Sequence, residues 1–147
     1  MIQQLINYFK AKFKTKVVMQ PILKSKIKYA LPEINFKILN HAQHYLLDEK
    51  YSSCSLEQFK KLLKKDFTNW RIYNKDYDCD NFAFKLYSNL KNKYPTLSIG
   101  IVLSASHAFN IFVDKLGKVH YIEPQNDKIY DYSKLKTNYK PIIAIIL

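Results

Sequence analysis

The stretch from His107 to Glu123 constrains this chain more than any other. Two runs rich in Ile, Val, Phe and Tyr, His107 to Asp114 and Lys118 to Glu123, flank the loop Lys115-Leu116-Gly117. A three-residue loop ending in glycine is the signature of a hairpin turned by a type I turn and a G1 bulge. Opposing Asp114 with Lys118 sets the whole register. Phe109 then faces Glu123, and His107 faces Gln125. Side chains alternate across a strand, so His107, Glu123 and Gln125 share one face, with His107 and Glu123 at diagonal reach. His120 falls opposite Phe112, on the other face.

Two further segments read as strands, Leu97 to Leu103 and Pro141 to Leu147. The first half reads differently. Residues 2–14 have helical periodicity, and so do 33–47, with Ile34, Ile38, His41 or Ala42, and Tyr45 on one face. The intervening run, with Pro21 and Pro32, reads as irregular. Ser55-Leu56-Glu57-Gln58 is a capping box that opens a helix to about Phe67. Trp70 to Tyr77 reads as an aromatic loop, and a further helix starts near Cys79 and ends by Pro95, with Phe82, Leu86 and Leu90 inward. Helices first and strands last predict an α+β fold, with N-terminal helices followed by an antiparallel β-sheet. At 147 residues one domain is expected over 1–147, mainly helical to residue 68, with the core in 69–147.

Composition narrows the chemistry. Two glycines, Gly100 and Gly117, exclude phosphate-binding and dinucleotide fingerprints, which need several in one loop. Two distant cysteines, Cys54 and Cys79, exclude a disulfide scaffold and a four-thiolate zinc site. Lys and Arg number 24 against 12 acids, for a net charge of +12. Such a surface suits polyanions, but Arg71 is the one arginine, and specific phosphate and base readers lean on the guanidinium fork. Nucleic acid is therefore a secondary expectation. No run reaches the roughly 20 apolar residues of a membrane span. Lys10, Lys12, Lys14 and Lys16 interrupt any signal-peptide core, so a cytoplasmic location with reduced thiols is expected. Those lysines beside Ile2, Leu5, Ile6, Phe9 and Phe13 make a basic amphipathic helix, which can dock on its own domain or lie on a membrane.

The densest chemistry lies at Tyr77-Asp78-Cys79-Asp80-Asn81-Phe82. Asp78 is a natural N-cap, which places Cys79 in the first helical turn, where the helix dipole lowers a thiol pKa. A thiolate nucleophile needs a base and the base an orienting group; the hairpin register offers His107 and Glu123, with Gln125 as an alternative orienter. Three neighbouring acids, Asp76, Asp78 and Asp80, would oppose thiolate formation unless a hard cation neutralised them or they faced water and lysine.

Taken together, Tyr77 to Ala83, His107-Ala108-Phe109-Asn110 and Val119 to Gln125 resemble the calcium-dependent papain-like cysteine protease domain of the fungal β-trefoil agglutinin type and its small bacterial and phage relatives. More broadly, they resemble the papain and transglutaminase-like superfamily. The likeness covers about residues 70–125. It implies a papain-like core and a cysteine-dependent amide hydrolase acting on a protein or peptide through an acyl-thioester. Cys79 would be the nucleophile, His107 the base and Glu123 the orienter, with calcium on Asp76, Asp78 and Asp80 and no organic cofactor. Asn81 departs from the family, in which a second consecutive Asp is common. The backbone N–H of Cys79 would help bind the oxyanion, with Asn74 as a second donor. The alternatives are a transglutaminase-like acyl transferase and a noncatalytic basic module for nucleic acid or a protein partner. Trp70, Tyr73 and Tyr77 could stack a substrate chain or nucleic-acid bases, but they read first as core packing beneath the active-site loop. Cys54 reads as structural, and His41 and His44 as surface histidines.

Overall fold

The computed structural model describes residues 17–31 and 43–147. Its elements run β1 (Gln20–Ile22), α1 (Lys24–Ala30), β2 (Gln43–Tyr45), β3 (Tyr51–Ser53), α2 (Leu56–Leu63), α3 (Cys79–Lys93), β4 (Ile99–Ser104), β5 (Ala108–Val113), β6 (Val119–Glu123), β7 (Lys128–Tyr130) and β8 (Ile142–Ile146). Short 3₁₀ turns at Thr68–Trp70, Tyr132–Lys134 and Thr137–Tyr139 connect them.

The sequence-predicted fold class needs correction. Among the described residues the sheet dominates, with eight strands against three α-helices, and strands are not confined to the second half. The stretch with Pro21, expected to be irregular, forms β1 and α1, and β1 pairs with β3 in a two-stranded sheet. At the end of the segment expected to be helical over 33–47, residues 43–45 form β2 and 46–47 follow it without helix; residues 33–42, and the 2–14 helix with its lysines, lie outside the described residues. The six-stranded sheet has the order β2-β8-β4-β5-β6-β7, and its β2–β8 pair is parallel. It is therefore a mixed sheet. Periodicity over residues 33–47 could not separate the two states, because the hydrogen bonds that capture Gln43–Tyr45 come from β8, a hundred residues away in sequence.

The central hairpin forms with the register its turn dictates. Asn110 pairs with Ile122 and Phe112 with His120. Gly117 has φ +87, and its N–H donates to Asp114 O at 2.8 Å. The Asp114 side chain completes the turn, its Oδ1 accepting the N–H groups of Leu116 and Lys118 at 2.9 Å each. The pleat then allots the core residues. Phe109, Ile111 and Val113 face one layer with Ile27, Tyr121, Tyr139 and Ile145. Phe112 and Ile122 face the other, where α2 and α3 supply Phe59, Leu62, Leu63, Leu86 and Leu90. The Phe59 and Phe112 rings stack with centroids 3.9 Å apart.

Both helices start on capping side chains. Ser55 Oγ accepts the Gln58 N–H and Gln58 Oε1 accepts the Ser55 N–H, each at 3.2 Å. Helix α2 ends at Leu63 rather than Phe67, because Asp66 Oδ1 takes the Thr68 N–H at 3.0 Å and turns the chain. At α3, Asn81 Oδ1 accepts the Asp78 N–H at 3.0 Å. Asn110, fully buried in β5, pins α3 to the sheet: its Nδ2 donates to Ala83 O at 2.9 Å and Gly100 O at 3.1 Å. No helix among the described residues is long and apolar enough to cross a membrane.

At Gly100, β4 passes close to the end of β8 and the residue after it. A Cβ there would lie 2.4 Å from Ile146 O and 2.8 Å from Leu147 Cγ. The first of these is backbone and cannot swing aside, so overpacking should be felt in full. Gly100→Ala is expected to destabilise by about 1–3 kcal/mol in urea unfolding; an unchanged midpoint would contradict the β4–β8 packing.

Candidate functional site

The hairpin brings His107 and Glu123 together. His107 Nε2 lies 2.7 Å from Glu123 Oε2, and their side chains are 9% and 5% exposed. The Tyr139 hydroxyl donates to the same Oε2, and the Gln125 N–H donates to Oε1 at 3.1 Å. Burial by itself would raise the Glu123 carboxyl; the hydrogen bonds from His107, Tyr139 and Gln125 outweigh it and hold the group below the usual carboxylate range. Burial and the bond to this carboxylate push the Tyr139 hydroxyl the opposite way, above the ordinary phenol range. The imidazole is framed by aromatic rings: Phe109 stacks at 5.8 Å and Tyr139 meets it edge-on at 4.7 Å. Upstream, Ser104 Oγ accepts the His107 N–H at 3.0 Å and donates to Asn138 O at 2.7 Å, tying the β4–β5 turn to the loop that carries Tyr139.

Tyr139 carries no sequence signal. It lies in a 3₁₀ turn between β7 and β8, and only the folded β6 brings Glu123 to it. Gln125 contributes its backbone N–H, not its amide.

Cys79 is the first residue of α3. It is half-buried against Ala83, Ile101 and Ala108, on the sheet face covered by α3. The pleat turns Ala108 toward that helix and turns its neighbours His107 and Phe109 toward Tyr139. No hydrogen bond joins Cys79 Sγ to the His107 ring among the described residues. Cys54 is fully buried, and burial first, then Asp114, push its thiol up to about 11.

The aromatic loop before α3 is a second concave feature. Trp70, Arg71, Ile72, Asn74 and Tyr77 line an open cavity of about 390 Å³. Trp70 is 75% exposed and touches Phe67 at 4.6 Å. Tyr77 is set edge-on to buried Phe82 at 5.0 Å, and the Arg71 guanidinium lies over the Tyr77 ring at 5.7 Å. The Asn74 side chain builds the loop itself: Oδ1 accepts the N–H groups of Asp76 and Tyr77 at 2.9 and 3.0 Å, and Nδ2 donates to Ile72 O at 3.3 Å. These bonds tie its side chain into its own turn.

Asp78 and Asp80 stand side by side at the start of α3. The hydrogen bond to Asp80 is the main cause raising the Asp78 carboxyl, ahead of desolvation and the Asp80 charge. Among the described residues no group of three or more His, Cys, Asp or Glu side chains is disposed to hold a metal ion, so Asp76 does not converge with the other two. His44 lies in β2 with Nε2 buried and unpartnered, and burial lowers its pKa. Its expected companion, His41, lies outside the described residues.

No family model matches the chain, and no curated protein matches it. Solved structures do. One, described as the PSL1a-E64 complex, superposes with a TM-score of 0.66 at 19% identity, over 88% of this chain and 51% of that one. Another, Polyporus squamosus lectin bound to the human-type influenza-binding epitope Neu5Aca2-6Galb1-4GlcNAc, gives 0.61 at 18% identity, over 88% and 49%. The chain thus spans about half the length of these proteins, and at such identity the likeness establishes a shared fold.

These findings correct the expectation of a papain-like protease. Of the two structures sharing the fold, one is described as a lectin, and neither description names a cysteine hydrolase. The expected hydrolase and its peptide substrate rested on that resemblance and are corrected with it.

The His107–Glu123 pair has a testable signature. A carboxyl held low in the folded state contributes stability above its unfolded pKa and loses it as pH falls through the folded value. Glu123→Gln is expected to cost about 1–3 kcal/mol near neutral pH and to flatten the loss of stability below about pH 4.5. Parallel acid-unfolding curves for the two proteins would contradict the assignment.

Proposed function

We propose that the chain is a noncatalytic binding module that takes a glycan in the cleft of the aromatic loop. The observation that carries this reading is Trp70: a large ring, three-quarters exposed, held at the rim of a cavity with Arg71, Asn74 and Tyr77. Ligand sites combine apolar and aromatic walls with a few placed polar groups. A sugar ring matches that mixture, since its C–H face can lie on an indole or phenol ring while its hydroxyls reach an amide or guanidinium. The glycan named for the Polyporus squamosus lectin structure supports the same ligand class.

Local charge favours a glycan over nucleic acid. Asp76, Asp78 and Asp80 follow the cleft directly, and a phosphate backbone laid across it would meet these three carboxylates against the two cations Arg71 and Lys75. A steep salt dependence, the mark of polyanion binding, is therefore not expected. Calcium belongs to the proposal through Asp78 and Asp80, whose adjacent carboxyls a divalent cation could hold together.

Calorimetric titration with the sialylated trisaccharide and with its unsialylated core, each with calcium and with EDTA, tests the reading. Binding is expected for the wild type and a loss of at least about tenfold, roughly 1.4 kcal/mol, for Trp70→Ala, with the melting temperature unchanged because the ring is exposed. Binding weakened by EDTA would support the cation. No heat with either glycan, or undiminished binding by Trp70→Ala, would overturn the glycan assignment.

A further inference from the structure

The 3₁₀ turn that presents Trp70, Thr68–Trp70, is held by two carboxylates from distant parts of the chain. On one side Asp66 Oδ1 accepts the Thr68 N–H at 3.0 Å, and Asp66 Oδ2 accepts Asn89 Nδ2 at 2.8 Å. On the other side Asp127 Oδ2, from the loop between β6 and β7, accepts Asn69 Nδ2 at 2.9 Å. The Asn69 amide is thereby half used. Its Oδ1 is buried and has no hydrogen-bond partner among the described residues, a costly state for an acceptor.

Asp127 has φ +58, in the left-handed region that Asn and Asp enter more readily than other residues with side chains. Burial first, then the Asp66 charge, push its carboxyl up to about 6. Lys60 and Lys64 of α2 line a cavity of about 330 Å³ with Asp127, and Lys128 follows it in the chain. Among the described residues none of these lysines forms an ion pair with Asp127, and Lys60 rests on Glu57 at 2.8 Å. Asp66 shares a smaller cavity with Lys65 and Lys93. The other ionisable groups of the hairpin are committed to one another, Glu123 to His107 and Asp114 to His120 Nε2 at 2.9 Å.

We propose that Asp127 and Asn69 form a proton-operated latch, which closes in mild acid and fixes the turn carrying Trp70. An ionised carboxylate offers acceptors only, so it serves the amide N–H and leaves the amide oxygen without a donor. One proton taken up from solvent changes this. Carried on the second oxygen of Asp127, it is donated to Asn69 Oδ1 while Oδ2 goes on accepting from Nδ2. Acid and amide then pair through two hydrogen bonds, and the repulsion from Asp66 is gone. The folded state prefers the protonated form, so this group adds stability as pH falls from about 6 toward the ordinary value of 3.8. The sign is opposite to that of Glu123. Trp70 is therefore held more firmly in mild acid than at neutral pH. The latch sets the geometry of the cleft's rim and stands independently of what the cleft binds.

The chain has one tryptophan, so its fluorescence reads the turn without any ligand. Emission, the ¹³C shift of the Asp127 carboxyl and the melting temperature are followed from about pH 7.5 down to about pH 4.5. In the wild type, emission and carboxyl shift are expected to change together with a midpoint near 6. Asp127→Asn supplies a donor and an acceptor at every pH and suits φ +58. It should hold the emission in its acid form throughout and raise the melting temperature at neutral pH by a few degrees. Asn69→Ala removes the latch but leaves Asp127 facing Asp66, so the carboxyl should still titrate above the ordinary range while the emission no longer follows it. The wild-type titration stands without either variant: a carboxyl that titrates in the ordinary range, or one that the emission ignores, would overturn the proposal. So would an emission change near 6 that survives Asp127→Asn or Asn69→Ala.

Discussion

The pairing of β5 with β6 is the constraint from which the rest follows. It is set by one turn, in which Gly117 occupies a conformation that other residues rarely adopt and Asp114 accepts two backbone N–H groups. A slip of one residue would exchange the two faces of both strands. Phe109 and Ile111 would be driven toward the helices, and Asn110 would lose its bonds to Ala83 and Gly100. The register is therefore held at its closed end by the turn and along its length by a buried amide whose donors have nowhere else to go.

From this register come two histidine–carboxylate pairs set back to back. His107 and Glu123 lie among Phe109, Tyr121 and Tyr139 on one face; His120 and Asp114 lie beside Phe112 and α2 on the other. The pairs are chemically alike, but their settings differ. Glu123 has three hydrogen-bond donors and its histidine is enclosed by rings, so that pair locks the β8-proximal loop to the sheet. His120 keeps one ring nitrogen unpartnered beside a cavity with two lysines. Carboxylate–imidazole contact alone thus does not specify a role.

The sequence analysis read local and nearest-neighbour structure well. The caps of α2 and α3, the hairpin turn and the His107–Glu123 proximity all depend on residues a few positions apart or on a register that one turn sets. It read poorly what depends on distant partners. Gln43–Tyr45 became a strand because β8 offers it an edge, and β1 formed against β3. Tyr139 joined Glu123 through tertiary folding alone. Cys79 shows the limit most clearly. Its place at the start of α3 was legible from Asp78, but what the thiol packs against depends on how that helix lies on the sheet.

The proposal of a noncatalytic binding module, in which Cys79 and His107 do not act on one another, is tested most directly by the alkylation rate of Cys79 as a function of pH in the wild type and in His107→Ala. Cys54 is silent in the measurement, being fully buried with its thiol pushed up to about 11. Superimposable profiles for the two proteins are the predicted result. A His107→Ala profile that loses a neutral-pH reactive phase, with Cys79 labelling slowed by tenfold or more, would show that the imidazole governs the thiol and would contradict the account.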